Sequence, residues 1–251
     1  MSALCVRVHA DATALGTAAA EDAATAIRDA INARGMANVM LASGNSQLAF
    51  LEVLTADATV DWGKVVGFHM DEYCGISADH PASFRRYMRE RVVERAHPAS
   101  FHEIQGDAPD AEVECERYAA LLREHPLDLC CLGIGENGHL AFNDPPVADF
   151  DDPLDLKVVE LDDACRQQQV GEGHFASMDA VPTHALTVTI PALLRAATVL
   201  AIVPEARKRE PVRRALTGPV DPSCPASILQ TQAHATIYLD DESAAGLEIA
   251  P

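Results

Sequence analysis

The stretch GIGENGHLAFNDP, residues 133–145, sets His139 among Asn137, Gly138, Asn143 and Asp144. An imidazole titrates near neutral pH, and neighbouring amide and carboxylate groups can orient it, so this set can relay protons. A core histidine bonded to backbone is the bland alternative, and the stretch alone leaves both open. No second His or Cys stands at ligand spacing beside His139, which disfavours a metal. Gly133, Gly135 and Gly138 do not form a dinucleotide fingerprint at the opening of a helix. A second segment, FHMDEYCG, places Asp71 and Glu72 directly after an apolar run. Either carboxylate could serve as a general base, and a solvated acidic turn is the default for a bare DE pair. Adjacent side chains in extended backbone point to opposite sides, so one of the two is expected to enter any pocket.

Two further segments could hold an anion. In ASGNSQ, Ser43, Gly44, Asn45 and Ser46 bring hydroxyls and backbone N–H groups to the start of a helix, where the helix dipole favours negative charge. A plain N-cap turn explains the same residues. In PEARKRE, Arg207, Lys208 and Arg209 open another helix after an apolar strand, and Arg166 in CRQQQ is a weaker candidate. A solvated helix face is the default for any one of these bases.

These segments need elements to bring them together. Strands are predicted at 4–9, 38–42, 64–69, 127–133, 156–161, 185–190, 198–203 and 235–240. Helices are predicted at 11–34, 46–56, 83–95, 110–124, 162–170 and 205–217. Apolar strands alternating with helices imply an α/β fold: a doubly wound, mostly parallel, Rossmann-like sheet with helices on both faces. No repeat or linker interrupts the chain, so a single domain over 1–251 is expected. In such sheets ligands bind beyond the carboxyl ends of the strands. Loops 43–46, 71–75, 134–144 and 205–208 all follow strands, and should share one rim although they span most of the chain. The proline-rich, acidic segment 143–155 reads as a mobile surface loop.

Composition narrows the partners. Apolar residues at 48% and charged residues at 23% describe an ordinary globular protein, and no apolar run is long enough for a membrane helix. Thirty-eight acidic against nineteen basic residues give a formal charge of −19, which argues against nucleic acid or anionic lipid as the main partner. An anionic substrate would therefore need a local set of bases or N–H donors. Seven cysteines without paired spacing read as small core residues in a reducing cytoplasm. Self-association as a homo-oligomer is left open.

The four segments, in this order, resemble the glucosamine-6-phosphate deaminase family, and the likeness runs from the first strand to SILQ and ATIYLDDES near the end. MDEY and GHLAFNDP favour that branch over the sister 6-phosphogluconolactonases, which have DER and GHTASLFP. The resemblance implies an enzyme that isomerises and deaminates an amino-sugar 6-phosphate without metal or organic cofactor, glucosamine 6-phosphate giving fructose 6-phosphate and ammonia. It implies Asp71 as the base that moves the C2 proton to C1, and His139, with Asn137 and Asp144, as the group that opens the pyranose ring. It implies Ser43, Gly44, Ser46 and Lys208 as phosphate holders, with Asn45, Glu72, Gly138 and Arg166 beside the substrate.

Three departures bear on specificity. Asp144 stands where the family usually has Glu, and Asn137 where several members have Asp. The family's usual arginine after the equivalent of Arg166 is replaced by VGEGHF. The alternatives are a 6-phosphogluconolactonase-like enzyme, a galactosamine-6-phosphate isomerase, or a non-catalytic sugar-phosphate sensor. Some family members also bind a second sugar phosphate just after the glycine–histidine motif. Here that stretch carries Asp149, Asp151, Asp152 and Asp155 before the lone base Lys157, so no such activation is expected.

Overall fold

The computed structural model describes residues 4–171 and 173–247. Seven strands form one parallel sheet: β1 (Cys5–His9), β2 (Ala37–Leu41), β3 (Val65–His69), β5 (Ser100–His102), β6 (Leu129–Leu132), β9 (Thr198–Val203) and β10 (Ala235–Asp240). Their order is β1-β10-β9-β6-β2-β3-β5. The central strands are apolar at nearly every position because both faces are covered. Met40 points into one core cluster while Val39 and Leu41 enter the other. Cys130 and Cys131 divide in the same way, which is why paired cysteines suit β6.

One face is covered by α1 (Ala12–Arg34) and α2 (Leu48–Ala56). Asp11 caps α1 by accepting from Thr13 N and Ala14 N, and Gly35 ends it in the left-handed conformation. The other face is covered by α5 (Ala111–Glu124), α7 (Ile190–Leu194) and α8 (Arg209–Thr217). Between them run α3 (Phe84–Met88), a π turn at Arg89–Val93, α4 (Glu94–Ala96) and, later, α6 (Asp163–Gly171).

The predicted α/β architecture is present, with one difference in its layout. The runs at 156–161 and 185–190 do not join the parallel sheet. They form β7 (Leu156–Glu160) and β8 (His184–Val188), which pair antiparallel in a second sheet of order β4-β8-β7. The reason lies in β7 itself, where Lys157 and Glu160 interrupt the apolar run. A strand with a charge on each face, Lys157 half-buried and Glu160 exposed, suits a partly exposed antiparallel sheet, not a doubly covered parallel one. β4 (Asp71–Tyr73) is the third strand and leaves β3 after a single residue, Met70. The chain thus steps from one sheet to the other at the predicted carboxylate pair.

Segment 143–155 is pinned rather than loose. Lys157 Nζ donates to Val147 O at 2.6 Å and to Asp152 at 2.7 Å, and Asp155 takes Arg123 and Arg195. Among the described residues no helix is long and apolar enough to cross a membrane.

Candidate active site

Strand ends 41, 69, 132 and 203 open onto one pocket. Its wall includes Ser43, Gly44, Asn45, Ser46, Asp71, His139 and Lys208. All four predicted loops therefore meet, as the carboxyl-end rule requires.

Asp71 enters from β4. Register with Thr187 of β8 fixes its backbone, and the residue is 7% exposed. Its carboxylate makes no hydrogen bond among the described residues. Burial first, and the neighbouring Glu72 second, push its carboxyl well above the ordinary carboxylate range. Such a group holds a proton tightly, as a base that must accept one from carbon should.

Glu72 points the other way and does not face the pocket. It is 0% exposed and accepts from Tyr73 N, Phe84 N, Arg85 N, the Ser83 hydroxyl and Arg85 Nε. Burial raises its carboxyl, while the Ser83 hydroxyl and the three backbone amides pull it back. Arg85, itself 1% exposed, continues to Asp107 at 2.7 Å and to Ile76 O. Glu72 is thus a strut that fixes the start of α3, and it leaves the binding role expected of it without a contact.

His139 rests on a backbone that only glycine permits: a Cβ on Gly135 would come within 2.1 Å of its Nε2. Its Nδ1 lies 2.8 Å from Asp144 Oδ1. An ionised carboxylate only accepts, so a proton sits on Nδ1, and in the neutral ring Nε2 keeps its lone pair. Burial opposes charge on Asp144, but the His139 ring and the hydrogen bonds from His139 and Asn137 outweigh it and hold its carboxyl below the usual range. Asn137 ties the pair together, donating to Asp144 Oδ1 at 2.9 Å and to Asp162 at 3.3 Å while accepting from His139 N. Asn137 and Asp144 therefore stand behind His139, out of the pocket wall. The shorter Asp144 still reaches the ring.

The loop is anchored on β8, the strand with which Asp71 pairs. Phe142 N donates to Thr187 Oγ1, and Asn143 Nδ2 donates to Leu140 O and Val188 O. β8 is thus the shared scaffold of both proton-handling residues. Gly138 turns the loop with φ of 92° and its carbonyl accepts from Ala226 N, so its service is to the turn.

Also in the pocket wall, residues 43–46 lead into a 3-10 turn (Asn45–Gln47) and then α2. First-turn amides have no partner within their own helix, and the dipole adds positive potential there. Tyr87 OH donates to Gly44 O at 2.9 Å and braces the loop. Lys208, 4% exposed, stands in the turn before α8.

Arg166 does not face the pocket. Its guanidinium donates to Met178 O and Val181 O and pairs with Asp163, fastening α6 to the next turn. Sequence reasoning missed Gln168, Gln169 and His174, which complete the wall with Phe84, Phe142 and Arg207. His174 stands in the VGEGHF stretch that replaces the family's usual arginine. The polar run QQQ on a helix with a buried member was the available signal.

Spacing also concealed one cluster. Ligand atoms of His139, Asp144 and Cys165 lie within 4.8 Å of one another. Burial, then Asp144, push the Cys165 thiol well above its usual range. None of the seven cysteines forms a disulfide.

Residues 10–238 match the family model described as glucosamine-6-phosphate isomerases/6-phosphogluconolactonase. A glucosamine-6-phosphate deaminase of Listeria innocua is 38% identical over 206 residues, covering 81% of this chain and 85% of that one. Another, from an Exiguobacterium species, is 34% identical over 222 residues, covering 88% and 84%. Among solved structures, a monomeric glucosamine-6-phosphate deaminase superposes with a TM-score of 0.87 at 29% identity, covering 96% and 99%. A 6-phosphogluconolactonase from Shewanella baltica gives 0.79 at 20% identity, covering 94% and 97%, a likeness of fold alone.

Proposed function

The chain belongs to the family of glucosamine-6-phosphate isomerases and 6-phosphogluconolactonases, and on that premise we propose that it is a glucosamine-6-phosphate deaminase. The observation that carries the reading is the meeting of two sets of groups in one pocket. A buried carboxylate and an imidazole line it together with a serine-rich helix start and a lysine. Asp71 and His139 supply proton transfer, and loop 43–46 with Lys208 supplies the phosphate site.

The reaction runs in four steps. His139 Nε2 takes the proton of the C1 hydroxyl and gives one to the ring oxygen, which opens the pyranose. Ionised Asp71 removes the C2 proton, leaving an enolate whose charge rests on O1. The same carboxyl returns its proton to C1 as the nitrogen lone pair forms the C2–nitrogen double bond, and an N–H proton passes to O1 to leave the imine. Water adds to the imine carbon, the carbon–nitrogen bond breaks, and ammonia leaves with fructose 6-phosphate. Water is the only co-reactant, and held geometry plus one acid–base pair supply the rate. Asn137 and Asp144 act through His139 by fixing its tautomer. The seven free cysteines fit a reducing compartment.

A panel assay tests the reading. Ammonia release is expected from glucosamine 6-phosphate ahead of galactosamine 6-phosphate, with no comparable hydrolysis of 6-phosphogluconolactone. Faster lactone hydrolysis would overturn it.

A further inference from the structure

Directly behind the serine-rich loop sits a side chain with no part in the chemistry above. Gln47 is 0% exposed at the end of the 3-10 turn that opens α2. Its Nε2 lies 3.0 Å from Ser46 Oγ and 3.3 Å from Ile202 O on β9. A carbonyl oxygen can only accept, so the atom facing Ile202 must be the amide nitrogen, which fixes the orientation of the group. Its two hydrogens then go to Ile202 O and Ser46 Oγ. The serine oxygen is an acceptor here, and its own hydrogen must turn elsewhere.

We infer that Gln47 is a positioning residue that makes Ser46 a hydrogen-bond donor to the phosphate of the substrate. The inference rests on the reading that loop 43–46 receives that phosphate. A phosphate dianion offers only acceptors, so a hydroxyl helps it only when its hydrogen points into the site. By holding the serine oxygen from behind, Gln47 leaves that hydrogen for the pocket, which Ser46 lines. Its second bond ties the loop to β9, the strand that leads to Lys208, and so sets the two halves of the anion site against each other. Gly133 makes room for the arrangement. A Cβ there would come within 3.2 Å of Nε2 and 3.5 Å of Ser46 Oγ.

The side chain is also costly in a way that argues for use. Gln47 Oε1 is buried without a hydrogen-bond partner. An unsatisfied buried acceptor destabilises a fold, and an apolar residue of equal length would avoid that. A purely structural role would favour such a residue.

A double-mutant cycle separates the two roles, using Gln47→Met, Ser46→Ala and the pair. The readouts are inhibition by inorganic phosphate, KM and kcat for glucosamine 6-phosphate, and the urea midpoint. With the serine present, Gln47→Met is expected to weaken phosphate binding about 5- to 10-fold, since a charge-assisted donor is lost in part. The loss should fall on KM more than kcat, while the urea midpoint holds or rises. In the Ser46→Ala background the same substitution should change phosphate binding by less than about 2-fold. Equal losses in both backgrounds, or a lowered urea midpoint that tracks the loss, would overturn the inference and leave the deaminase reading standing. Wild-type protein that binds neither inorganic phosphate nor glucosamine 6-phosphate would overturn both.

Discussion

The two faces of β4 carry neighbouring carboxylates under opposite conditions. On the pocket face Asp71 is nearly buried and makes no hydrogen bond among the described residues. On the rear face Glu72 is fully buried and accepts five. Burial raises both carboxyls, but only at Glu72 do donors pull the value back. One strand thus holds a group kept hungry for a proton beside a group fully satisfied as an anion. The stability consequence of Asp71 follows from its sign. Its folded pKa lies above the unfolded one, so its contribution is fully present below the unfolded pKa and is lost as pH rises through the folded value. Once ionised, the base costs stability, and that cost is what gives it its proton affinity.

The comparison can be broken at several points, beginning with the largest effect. Asp71→Asn keeps shape and removes proton affinity, so kcat should fall about 100-fold or more. Phosphate binding should persist, and the urea midpoint should hold or rise. Near-normal turnover would remove Asp71 from the mechanism. Glu72→Gln should do the reverse. It strips the charge facing the buried Arg85 and should lower stability by about 2 kcal/mol, while the folded fraction turns over far more than the Asp71 variant. A stable but inactive Glu72→Gln enzyme would show that the rear face is not merely a strut.

The pH profile sharpens the same contrast. Asp71 acts ionised and titrates well above the ordinary carboxylate range, so kcat/KM should climb with pH, about tenfold per unit, until it passes a transition above that range. Whatever rate remains in Asp71→Asn should lack that limb. The smallest effects belong to residues turned from the pocket. Arg166→Ala should shift KM by less than about threefold, because its guanidinium serves two carbonyls and Asp163. N-acetylglucosamine 6-phosphate should not activate, and saturation curves should be hyperbolic. Lys157, the base in the acidic segment, is already held by Asp152 and Val147 O. Sigmoidal curves made hyperbolic by the N-acetylated sugar would contradict this.

Much of the molecule was legible because its causes are local. Eight apolar runs became eight strands, and the strand-end rule brought loops from 43 to 208 onto one rim. The alternation rule separated Asp71 from Glu72 before any geometry was known. The sequence did not disclose partners chosen by long-range packing. β4 and β5 are three residues each, too short to give a periodic signal. The second sheet was hidden because β7 and β8 resemble buried strands except at Lys157 and Glu160. Arg166 looked like a phosphate ligand by type, yet its terminal nitrogens are taken by the 178–181 turn and Asp163. Gln168, Gln169 and His174 reach the pocket only because α6 is tied to the His139 loop, through Gln168 to Glu136 N and Asn137 to Asp162.

The central claim is that the pocket between Asp71, His139, loop 43–46 and Lys208 deaminates an amino-sugar phosphate. Its most direct test is to mix purified protein with glucosamine 6-phosphate and follow both products together. Ammonia and fructose 6-phosphate appearing in equal amounts, and falling together in Asp71→Asn, is the predicted result. Wild-type protein that binds the sugar phosphate and releases neither product would contradict the account.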